Sequence, residues 1–82
     1  MRYDEHWLKL IKRVQSSIYA IRHAVDAVPD VVDRNILKRQ LETLVASFRQ
    51  HLDTGSHVEA FNTGSKIIDI HRLAQKLCDE SS

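Results

Sequence analysis

Helix-breaking residues are scarce in this chain of 82 residues. It has one proline, Pro29, and two glycines, Gly55 and Gly64. Such sparse punctuation leaves three long uninterrupted segments. A single cysteine, Cys78, excludes an internal disulfide. No apolar run approaches the roughly 18 residues that a membrane span needs. The opening "MRYDEHWLKL" carries acidic residues where a secretory leader would need an apolar core. These absences lead to the expectation of a reduced, cytoplasmic protein with no membrane segment. Charge of one sign is also missing: the net charge is +1, and it is spread evenly. A basic stripe with a high pI, the usual footprint of a nucleic-acid domain, is not apparent at a pI near 8.0.

What is present is ordinary globular composition, 43 % hydrophobic and 28 % charged, too apolar for a disordered tail. A chain this short forms one domain (1–82) and buries only roughly 60 % of its unfolded surface. It is marginal alone, so a partner would stabilise it.

Each segment has helical periodicity. In the first, about 4–28, Tyr3, Trp7, Leu10, Val14, Ser17, Ile21, Ala24 and Val28 follow 3-4 spacing, the mark of one buried face. Asp4 is the expected N-cap. Leu8 and Tyr19 lie about 100° off the stripe, placed to be exposed or to touch another chain. The second, about 30–53, starts after Pro29, with Asp30 or Asp33 suited to the positive end of the helix dipole. Its stripe is Leu37, Leu41, Leu44, Val45, Phe48 and Leu52. The third, about 57–79, is broader. From Phe61 through Ile67, Ile68, Ile70, His71, Leu73 and Leu77 to Cys78, its apolar residues cover roughly 220° of the wheel. Either this helix lies centrally, or it also meets another subunit. Residues 80–82 are expected to fray.

Between the second and third helices stands "DTGS", Asp53–Ser56, the tetrapeptide of aspartic proteases. There it sits on a turn between β-strands, and two copies share a proton. Here the flanks are helical. The local reading is a helix junction: Gly55 as the left-handed residue ending one helix, and "SHVE", Ser56 to Glu59, as a capping box opening the next. The later "TGSK" lacks the GxxxxGK[ST] spacing of a phosphate loop. Gly64, inside a helix, points to close packing or a bend, because glycine there costs about 1 kcal/mol relative to alanine.

Candidate chemistry is thin. His51 and His57 flank the junction with Asp53 nearby, and His71 and Cys78 share a helix face, but no HExxH or CxxC pattern accompanies them. No metal or other cofactor is expected from these residues. Two basic clusters, Lys9, Lys12, Arg13 and Arg34, Lys38, Arg39, carry interspersed acids.

The fold expected is therefore all-α: an elongated, antiparallel up-down-up three-helix bundle that dimerises. The leading functional expectation is a non-enzymatic protein–protein interaction module, a small regulator, chaperone or adaptor. It would act through the wide face of the third helix at Ile68, Ile70, Leu73 and Leu77, with Leu8 and Tyr19 as secondary contacts. The partner would be the protein itself, as a homodimer, or another protein. Two further readings are a nucleic-acid-associated regulator using the six basic residues, and a small metal or ligand sensor near His51, His57 or His71. In pattern, the last two helices around a glycine turn resemble small helical-hairpin chaperones of bacterial secretion systems. No motif accompanies the likeness, and no residue role follows from it.

Overall fold

The computed structural model describes residues 2–80, with side chains from His6 onward except Trp7. Three helices account for the described chain: α1 (Arg2–Asp26), α2 (Val31–Asp53) and α3 (His57–Glu80), with no strand among the described residues. They pack together as an all-α three-helix domain, elongated to 45 × 21 × 16 Å.

The helix ends follow from local chemistry, with three departures from expectation. First, Asp4 is not an N-cap: the helix is already formed at Arg2. Neither Arg2 nor Tyr3 is a breaker, so nothing forces a start at Asp4. Second, α1 stops at Asp26 and not at Val28. The residue before a proline is pushed out of the α region, and Val28 precedes Pro29. The chain tightens there: the Ala27 amide donates to His23 O at 3.1 Å and the Val28 amide to Val25 O at 3.1 Å. Asp30 then caps α2 with extended backbone, its Oδ1 accepting from the amides of Val32 (2.9 Å) and Asp33 (3.0 Å). Third, "SHVE" forms no capping box. The amide of Ser56 donates to His51 O at 2.8 Å, its hydroxyl lies 3.1 Å from that of Thr54, and the Glu59 carboxylate meets His51 Nδ1 at 3.2 Å. Glu59 is drawn away because the amide it would have capped is already used.

Gly55 has φ +74°, the left-handed value expected of it. Its amide donates to Leu52 O at 3.2 Å, while that of Ser56 reaches His51 O. Together these two bonds close a Schellman motif. "DTGS" is thus a helix junction. The third helix continues through Glu80; residues 81 and 82 lie outside the described part.

The core is one cluster drawn from all three helices, including Val14, Ile18, Ile21 and Val25 of α1, Leu37, Leu41, Val45 and Phe48 of α2, and Ala60, Ile67, Ile70 and Ala74 of α3. The third helix packs about equally against α1 and α2, and far more extensively than those two pack against each other. It is the central helix, which accounts for its broad apolar face. Small residues let it sit there: Ala60 and Ala74 are fully buried, and Gly64 is buried where the three helices converge. A Cβ on Gly64 would lie 3.2 Å from Val14 Cγ2 and 3.3 Å from Phe48 Cε1. Close packing accounts for this glycine. No buried side-chain polar atom among the described residues lacks a hydrogen-bond partner. Thr63, the buried polar residue, donates its hydroxyl to Glu59 O at 2.8 Å.

Two variants check this packing. In Gly64→Ala, the helix-propensity gain of about 1 kcal/mol opposes an overpacking cost of about 1–3 kcal/mol. Val14 and Phe48 are fully buried and have little room to yield. Thermal denaturation followed by circular dichroism is expected to show a lower melting temperature; a rise would mean that the neighbours give way. Asp30→Ala removes the cap of α2 and is expected to cost about 1 kcal/mol in urea unfolding.

Candidate docking face

The residues expected to bind a partner divide into three groups. Ile70 is core, 6 % exposed, and Ile68 and Leu77 are half-buried against that core. The breadth of α3 that pointed to another subunit is thus largely taken up inside the chain by α1 and α2. Leu73 differs: it is 45 % exposed. Leu8 and Tyr19 are exposed as expected, and the Tyr19 ring stacks on His23 with centroids 6.2 Å apart.

Leu73, seven residues beyond Lys66, falls by helix geometry on the side of α3 that lines a groove between α2 and α3. A cavity of about 540 Å³ there is lined by Arg39, Gln40, Thr43 and Leu44 from α2 and by Lys66, Asp69 and Ile70 from α3. Its floor is apolar and its rim charged. Leu73 lies one turn beyond Asp69 and Ile70 on the same helix face, the usual relation of residues three and four apart. A second, contiguous depression shares Arg39 and Gln40 and is lined further by Val32, Asn35 and Ile36. Val32 and Ile36 are 67 % and 51 % exposed. An apolar strip therefore runs along this side of the domain from Val32 through Ile36 and Leu73 to Leu44 and Ile70. Among the described residues the ion pairs are Arg22–Glu42 and Lys38–Asp26, and His51 Nδ1 also meets the Glu59 carboxylate. Arg39, Lys66 and Asp69 enter none of them.

Val32 and Ile36 were missed by the sequence reading because they lie off the apolar stripe of α2. A signal did exist. Ile36 is a large β-branched residue about 100° from Leu37, on the side of the helix that also carries Gln40 and Thr43. Val31, Val58 and Phe61 are further exposed apolar residues, more scattered than this strip.

The six basic residues are not gathered on one surface. Lys9 and Arg13 border a shallow depression on α1 with His6 and Leu10, and Lys12 is exposed. On α2, Arg34 donates to Val28 O at 3.3 Å and Lys38 faces Asp26 at 3.9 Å, at the other end of α1. The two clusters are separated by roughly 20–25 Å of helix, and Arg39 turns away to the α2–α3 groove. His51 is held by Glu59, His57 is exposed and His71 half-buried. Among the described residues no three His, Cys, Asp or Glu side chains converge as a metal site. Cys78 Sγ lies 3.9 Å from Ala24 O, joining the end of α3 to α1. No described helix is long and apolar enough to cross a membrane.

No protein-family model, no curated protein and no solved structure matches the chain.

The burial pattern is checked by introducing aspartate. Ile36→Asp and Leu73→Asp, at exposed positions, are expected to change stability by no more than about 0.5 kcal/mol and to leave helicity intact. Ile70→Asp buries an unpaired carboxylate and is expected to unfold the domain or cost several kcal/mol. Equal effects at Leu73 and Ile70 in chemical denaturation would contradict the assignment.

Proposed function

We propose that this chain is a non-enzymatic protein-interaction module, a small cytoplasmic regulator, chaperone or adaptor. Its docking face is the apolar strip between α2 and α3. The helices run up-down-up with antiparallel neighbours. The three-residue link Thr54–Ser56 supports that order, since short connections favour antiparallel packing. So do the contacts between chain-adjacent helix ends, Lys38 with Asp26 and Glu59 with His51.

The observation that carries the functional reading is the exposure of Ile36 and Leu73, about half open to solvent, at positions that helix geometry sets on the α2 and α3 sides of the groove. A groove between two helices accepts an amphipathic helix whose apolar residues recur every three or four positions. The partner's apolar side chains would cover Ile36, Leu44 and Leu73. Its polar flanks would meet Arg39, Lys66 and Asp69.

The test is a comparative capture with immobilised parent protein and the Ile36→Asp/Leu73→Asp variant. Helicity of the variant is checked by circular dichroism. Any protein held by the parent, including the free chain itself, is expected to lose at least about tenfold in affinity to the variant. Equal retention by both would show that association uses another surface.

A further inference from the structure

We infer that the occupant of this strip is a second copy of the same chain. The two copies would be related by a two-fold axis running along the groove, so that the α2–α3 pairs form a four-helix bundle. This inference rests on the docking face proposed above.

The argument is one of register. In antiparallel helices every residue rises by the same 1.5 Å, so residues that start level stay level. The contact of His51 with Glu59 at 3.2 Å sets the level of α2 against α3, and Gln40 and Asp69, which line the same groove, fall within about one residue, ~1.5 Å, of level. Stepping back by four residues along α2 gives Ile36 and Val32, and stepping forward by four along α3 gives Leu73 and Leu77. Val32 is thus within about a residue of level with Leu77, as is Ile36 with Leu73, and Arg39 lies within about two residues, ~3 Å, of the level of Asp69. A two-fold axis parallel to the helices keeps each level and exchanges the sides. It sets α2 of one copy against α3 of the other. Ile36 of one copy then meets Leu73 of the second, Val32 meets Leu77, and the long Arg39 side chain comes within reach of Asp69. By symmetry each contact occurs twice.

Three features favour this occupant. The charges are self-complementary: a cation on α2 lies within about two residues of the level of an anion on α3, and neither enters an ion pair within the described chain. The exchanged apolar levels match apolar with apolar, two in succession. Every neighbouring helix pair in the resulting bundle is antiparallel, the arrangement of up-down four-helix bundles. The contact from Val32 to Thr43 is only about 17 Å long. It falls short of the roughly 800 Å² per partner of a standard interface, so the dimer is a weak, concentration-dependent one.

Analytical ultracentrifugation from roughly 1 μM to 1 mM is expected to show a monomer–dimer equilibrium within that range. Arg39→Asp and Asp69→Arg each place like charges across both symmetry-related contacts. Each is expected to raise the dissociation constant at least about tenfold. The double variant restores the pairing with signs exchanged and should return to within about threefold of the parent. If a reversal lowers helicity, Arg39→Gln and Asp69→Asn replace it, each with an expected weakening of about threefold. A monomer over the whole range overturns the second-copy inference. A dimer indifferent to the single changes, or not restored by the double, overturns the register. Failure of the docking face itself reads out separately, as equal capture by the parent and by Ile36→Asp/Leu73→Asp.

Discussion

The structure turns on the close meeting of three helices at Gly64. Val14 of α1 and Phe48 of α2 reach into the space where any other residue would carry a Cβ. With that space open, α3 settles between the other two helices. Ala60 and Ala74, also fully buried, keep the same side of α3 narrow. A glycine inside a helix is unfavourable by about 1 kcal/mol relative to alanine. Here the cost is offset by the contacts of a fully buried phenylalanine ring and valine, since burying one large apolar side chain contributes about 1.5–3 kcal/mol.

Centring α3 decides what remains outside. Its width is absorbed by two neighbours, so Ile70 goes to the core and Ile68 and Leu77 go partly there. The surface left over is the seam between α2 and α3, where Leu73 and Ile36 stay open. One packing choice thus accounts both for the burial of Ile70 on α3 and for the exposed strip beside it. The charged rim is consistent with a docking surface, because apolar floors with polar borders are the usual anatomy of protein interfaces.

Much of the fold was legible in the residues. Pro29 and Gly55 marked both junctions, and the three-four spacing of Val14, Ile21, Leu41, Val45 and Phe48 marked the faces that became core. Periodicity reports an average face and says little about a helix's neighbours. It gave α3 an excess of apolar surface without saying which element consumes it. The capping box at Ser56 failed for a related reason. The pattern was present, but the Schellman bonds of the preceding helix took the amide, and His51 took the carboxylate. Ile36 escaped notice because it stands beside a strong stripe, and its importance depends on Leu73 across a groove that a linear pattern does not reveal.

The central claim is that Ile36 of one copy meets Leu73 of another. Two single-cysteine proteins test it directly, Ile36→Cys and Leu73→Cys, each with Cys78→Ser. Mixed and mildly oxidised, they are expected to yield the hetero-disulfide dimer in large excess over either homodimer, because the two-fold axis along the groove sets these positions against each other and holds like positions on the diagonal. Statistical proportions of the three products, or a preference for either homodimer, would contradict the account.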